Sequence, residues 1–238
     1  ASAAEQIPTH QEQRFISSKQ EIIAGIPTTV NEYECKGVIV ETFSINDTNV
    51  SDAAMEAFTD ALATRPRPQS EVLFPVVLDS VLEQDYYYEH TRTFATNPPA
   101  TTQDGKGTLV INGNFHSGKG AEDNNLYLWA ENTRSVAVYN ELNNVPRNIT
   151  MNLTLTTTRL GLSIGIPPSV SIVLEDKSMP LELGTFSNTT AVTAYWPEYS
   201  ARGRLPMSIS AQATVTFSFG STSYTAITAE SQNYSIGW

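Results

Sequence analysis

From Gln69 onward, apolar and polar residues alternate with a period of two. In the cleanest run, Ile209, Ala211, Ala213, Val215, Phe217 and Phe219 interleave with Ser208, Ser210, Gln212, Thr214, Thr216 and Ser218. Side chains leave a strand on alternate faces, so this pattern predicts one dry face and one wet face. Met151, Leu153 and Leu155 alternate with Asn152, Thr154 and Thr156 in the same way; Leu160, Leu162, Ile164 and Ile166 alternate with Gly and Ser, and Val170, Ile172 and Leu174 follow. Residues 72–82, 86–94, 107–115 and 125–132 also have strand length and a β-branched or aromatic composition. Gly220-Ser221 predicts a turn into a final strand around Tyr224 to Ala229.

The first third reads differently. Residues 1 to about 28 are polar and poorly periodic, with Pro8 and Pro27 marking extended chain, and are expected to form an arm. Ordering such a segment costs about 1–2 kcal/mol per residue of backbone entropy, which contacts with a neighbouring subunit would offset. Thr29 to Ile45 predicts one or two strands. One helix is expected over 52–64: Ser51 or Asn49 can cap it, Asp52 suits its first turn, Met55, Phe58 and Leu62 form one stripe, and Pro66 and Pro68 stop it. The expected fold is therefore all-β, an eight-stranded antiparallel jelly-roll sandwich with an extended N-terminal arm and one short helix. Residues 1–68 hold the arm, first strand or strands and helix, and residues 69–238 the sandwich.

Composition narrows the function. A balance of 14 Lys+Arg against 25 Asp+Glu, net −11, argues against a surface that tracks phosphates, so little direct nucleic-acid binding is expected. No stretch approaches the roughly 20 apolar residues of a membrane helix. A single cysteine, Cys35, excludes an internal disulfide and is expected to be a buried or half-buried small residue. The small residues Ala1-Ser2-Ala3-Ala4 resemble a trimmed processing site. N-x-[ST] triplets stand at Asn46, Asn49, Asn148, Asn152, Asn188 and Asn233, a number not far above chance in a chain so rich in Asn, Ser and Thr.

Chemistry-bearing motifs are found and discounted. Gly161-Leu162-Ser163-Ile164-Gly165 has the spacing of a nucleophile elbow but runs into Pro167-Pro168 instead of a helix, and His10, His90 and His116 all precede it. Gly113 to Gly120 comes within one residue of a phosphate-binding loop, but Gly120 stands where a Mg²⁺-binding hydroxyl is needed and Glu122-Asp123 follows; a loop between two strands is expected. The histidines and Cys35 are too scattered for a zinc site. Glu131, Glu141, Glu175 and Asp176 could converge as a catalytic pair only by accident of folding. The aromatic groups Tyr86-Tyr87-Tyr88, Trp129 and Tyr195-Trp196-Tyr199 serve either packing or recognition, and consecutive tyrosines in a strand must divide between its faces. No catalytic, cofactor-binding or metal-ligating residue is expected, no cofactor is implied, and the chain is expected not to be an enzyme.

Three segments resemble the jelly-roll coat proteins of picorna-like viruses, above all the small coat protein of plant comoviruses. Lys106 to Ile111 with Asn125 to Trp129 resembles paired early strands, Asn148 to Leu155 a middle strand, and Thr189 to Tyr195 with Ser208 to Phe219 the last two. The helix at 52–64 has no counterpart in that pattern. The resemblance implies a capsid protein of the virion, a structural protein of icosahedral assembly whose partners are other capsid subunits, with a host receptor as a further partner. The arm, the helix and end loops such as 116–125 and 196–206 are the expected contact regions. Two alternatives carry different features: a secreted or cell-surface fimbrial subunit or carbohydrate-binding adhesin, through strand addition and exposed rings, and a β-pore-forming toxin, through the alternating 149–174 run.

Overall fold

A computed structural model of the chain describes residues 13–68, 80–96, 105–120, 126–142, 146, 148–159, 177–197, 199–203 and 207–234. In chain order its strands are β1 (Gln13–Ile23), β2 (Ile26–Cys35), β3 (Val38–Ile45), β4 (Ser80–Thr96), β5 (Gly105–Gly120), β6 (Leu126–Tyr139), β7 (Asn148–Arg159), β8 (Lys177–Ser187), β9 (Ala191–Tyr195), β10 (Tyr199–Gly203), β11 (Met207–Phe219) and β12 (Thr222–Tyr234). One helix, α1 (Asp52–Ala63), separates β3 from β4. The strands form two antiparallel sheets. The larger runs β1-β2-β3-β9-β6-β5-β4, with β10 also paired to β6, and the smaller runs β12-β11-β7-β8.

The core between the sheets follows from the alternation. Ile209, Ala211, Ala213, Val215 and Phe217 of β11 and Ile149, Met151, Leu153 and Leu155 of β7 are fully or almost fully buried, facing Leu109, Ile111, Phe115, Leu128 and Tyr139 of the larger sheet. A second cluster lies on the opposite face of that sheet. There Met55, Phe58 and Leu62 of α1 pack with Val30, Phe43, Val110, Val136, Val138 and Ala191. β5 and β6 are thus covered on both faces along part of their length. This explains why 109–111 and 136–139 read as unbroken apolar runs.

Local chemistry sets the helix. The Ser51 side chain accepts from the Ala54 amide at 3.1 Å, so Ser51 is the cap and not Asn49. At the other end Arg134 donates to the carbonyls of Leu62, Ala63 and Arg65 and Asn112 to that of Ala63, supplying side-chain donors to the carbonyls at and just beyond the helix end. The turns joining β1 to β2 and β2 to β3 use Ala24-Gly25 and Lys36-Gly37, all at positive φ, the I′-like conformation that suits a two-residue hairpin.

Several expectations change. The described part of the expected arm, 13–28, is not an arm but β1 and the start of β2, and β3 joins this hairpin to β9, so residues from both sides of Pro66-Pro68 share one sheet. The polar composition hid the strand because β1 sits at a sheet edge and buries only Ile23. Eight strands were expected, whereas one sheet alone has eight and the other four. The phosphate-loop-like segment Gly113–Gly120 is not a loop but the second half of β5, with its backbone paired to β4 and β6. Likewise 116–120 and 199–203, expected within end loops, are strand. The expected strand runs at 160–166, Ser163 included, and 170–174 lie outside the described residues, as do residues 72–79 of the run expected over 72–82.

Candidate assembly surface

A sheet has two edges whose unpaired backbone groups invite another strand, and folded chains blunt them. In this sandwich all four edges carry contacts from the opposite sheet. β4 and β12 face each other: His90 pairs with Glu230, and the Arg92 guanidinium donates to the Ile227 carbonyl at 3.0 Å. On the far side, the Gln13 amide donates to the Leu183 and Thr185 carbonyls of β8, at 3.0 and 3.1 Å, where Gly184 turns the strand through a φ of +80°.

The β1 edge stands apart in the side chains it presents. Among the described residues β2 is the one strand paired to it. It also exposes apolar side chains: Phe15 is 56% exposed, Ile16 39% and Ile22 73%. Phe15 packs edge-on against Tyr33 with ring centroids 5.7 Å apart, and Tyr33 in turn touches Phe186 of the smaller sheet, so one face of Phe15 is supported and the rest is bare. A bulge at Ile16 breaks the register between Phe15 and Ser17.

The base of this strand is held firmly. Arg65, just beyond α1, donates to both oxygens of Glu21 (2.6 and 2.7 Å) and to both of Glu41 (2.9 and 3.1 Å), and the Tyr195 hydroxyl donates to Glu41 at 2.6 Å. Hydrogen bonding to Arg65 holds the Glu21 carboxyl below its usual range. Burial pushes the Tyr195 hydroxyl upward, and Glu41 beside it adds to the shift. Arg65 also lies over the Phe43 ring, and Arg67 and Arg134 lie over Tyr195. These groups are satisfied by one another and pin β1, β3, β9 and the chain after α1 into one body.

The residues singled out for chemistry are dispersed. Cys35 is buried, and burial with the neighbouring Glu34 charge raises its thiol to about 11. Tyr88 points into the core while Tyr86 and Tyr87 are exposed, and Trp196 and Tyr195 are buried. On the larger sheet, the buried His116 stacks on Trp129 with centroids 5.1 Å apart, and lies 2.8 Å from Glu131 and 3.6 Å from Asp85. That cluster arises from directly opposed positions on β4, β5 and β6, a juxtaposition that needs the register and cannot be found from spacing. Among the described residues no group of His, Cys, Asp and Glu could hold a metal ion, and no helix is long and apolar enough to cross a membrane. β7, part of the expected inserting hairpin, is paired on both sides, to β8 and β11. Glu175, Asp176, Glu122, Asp123 and His10 lie outside the described residues. No protein-family model matches this chain, nor does any curated protein sequence or any solved structure.

Proposed function

We propose that this chain is a non-enzymatic structural subunit of a virus capsid, a jelly-roll-type sandwich that works by contact with neighbouring subunits in the virion. The observation that carries the reading is the β1 edge, where Phe15, Ile16 and Ile22 are exposed beside a backbone that, among the described residues, pairs with β2 alone. Apolar side chains along an unpaired strand are a liability in a monomer and an asset at an interface. The locked Arg65 network suits the same role, because it makes the strand a rigid attachment edge. Electron microscopy and sedimentation of the purified full chain test the proposal: closed particles of many subunits are expected, and a stable monomer at high protein concentration overturns it.

A second reading, a carbohydrate-binding adhesin, draws on the exposed Tyr87 and the Trp129-His116 stack flanked by Asp85, Asn114 and Glu131. Aromatic faces beside carboxylates and amides are the groups that hold a sugar. A glycan array on the intact chain decides it, with specific binding lost in Trp129→Ala as the expected support and uniform silence as the refutation.

A further inference from the structure

We infer that the β1 edge takes a second copy of this chain, strand against antiparallel strand, about a two-fold axis that passes beside Ser18. The inference rests on the shell-subunit reading for its setting and adds the identity of the partner and the register. Its starting point is which way each β1 side chain faces. Glu21 reaches Arg65, Lys19 lines the cleft bounded by Pro66 and Pro68, and Ile23 joins the helix-side cluster, so 19, 21 and 23 face the helix. The pleat then sends Ser18, Gln20 and Ile22 to the other side. Because the bulge drops Ile16 from the alternation, Phe15 falls on that side too, as its contact with Tyr33 requires, and Arg14 with its partner Glu34 returns to the helix side.

When two antiparallel strands meet in one sheet, directly opposed side chains share a face. A two-fold axis perpendicular to the sheet therefore passes beside a residue and not between two. Three positions near the middle qualify. An axis at Lys19 sets one ammonium directly against its own copy, which is destabilising. An axis at Gln20 sets Lys19 against Glu21 of the second copy but leaves Phe15 beyond the strand, opposite the Ala24-Gly25 turn. An axis at Ser18 uses the strand from Gln13 to Ile22. Allowing for the bulge, it sets Arg14 against Glu21 of the second copy, Phe15 against Gln20, and Phe15 one diagonal step from Ile22, each occurring twice by symmetry. The charges then alternate across the seam as Glu34, Arg14, then Glu21 and Arg65 of the second copy, extending on both sides ion pairs that each copy already forms. Lys19 would deter an unrelated strand and here meets only Ser17, so it acts as a selector for this register.

The test uses the full chain with a single new cysteine, because Cys35 is buried. Opposed residues of an antiparallel pair have Cα atoms about 4.5–5.5 Å apart, within the range a disulfide spans. Oxidised Ser18→Cys is expected to shift on a non-reducing gel from one chain to two. Lys19→Cys and Gln20→Cys are expected to remain single, and adding Arg14→Glu to Ser18→Cys is expected to abolish the shift. A bond through Lys19→Cys or Gln20→Cys in place of Ser18→Cys overturns the register. Particles seen by microscopy with no bond at any of the three positions overturn the pairing and leave the shell reading standing. A protein that stays a single chain by sedimentation, with no bond, overturns both.

Discussion

β1 and β11 have similar lengths and opposite characters. β11 lies between β7 and β12, and every second residue from Ile209 to Phe217 is buried in the core. β1 lies at an edge and buries Ile23 alone. The first is stabilised by removing apolar area from water, at about 25 cal/mol per Å². The second is held by backbone pairing with β2, by Gln13 on β8 and by Glu21 on Arg65. A strand can therefore be well anchored without being apolar, which leaves its few exposed apolar groups available for other surfaces.

The contrast can be broken at four places, in falling order of effect. Phe217→Ala in β11 removes a fully buried ring that touches Phe94 and Tyr139, and should cost about 3–5 kcal/mol in urea unfolding. Arg65→Ala leaves Glu41, 3% exposed, without its cationic partner, and a loss of about 3 kcal/mol is expected in the same measurement. Gln13→Ala should cost about 1 kcal/mol and raise hydrogen exchange at the start of β1. Ile22→Ser, at 73% exposure, should change the stability of the single chain by less than about 0.5 kcal/mol while weakening assembly. A large stability loss there would mean that β1 resembles β11 after all.

Two titrations sharpen the comparison. Glu21 binds its proton less readily in the folded chain than in the unfolded one, so its contribution to stability is full above the ordinary value of 4.5 and is lost as pH falls through the lower, folded value. Acid unfolding followed in the intact chain should therefore steepen below about pH 4.5, and Glu21→Gln should flatten that slope. Cys35 moves the other way: its thiol, raised to about 11, should resist a maleimide at neutral pH until the chain unfolds.

How much of this was legible depends on where the free energy resides. β11 and β7 stand out in the sequence because burial on one face writes a period of two, and α1 because its stripe and Ser51 cap are local. β1 was not legible, since pairing through the backbone leaves no trace in side-chain polarity. Gly113 to Gly120 misled for a related reason: small and polar residues suggested a loop, yet the segment is paired to strands on both sides. The Arg65 network joins residues 21, 41, 65 and 195, separations that no local pattern encodes. The exposed edge could be suspected only once β1 was known to end a sheet.

Gly107 of β5 has a consequence for the mechanics of the whole body. A methyl group there would lie 2.5 Å from the Phe94 ring and 2.6 Å from that of Phe217, so the two aromatic rings occupy the notch that the missing side chain provides. Phe94 belongs to the neighbouring strand of the same sheet and Phe217 to the facing one, so the Phe217 ring sits like a key in a slot of the opposite layer. Sliding one layer over the other would first have to lift that ring out of its slot.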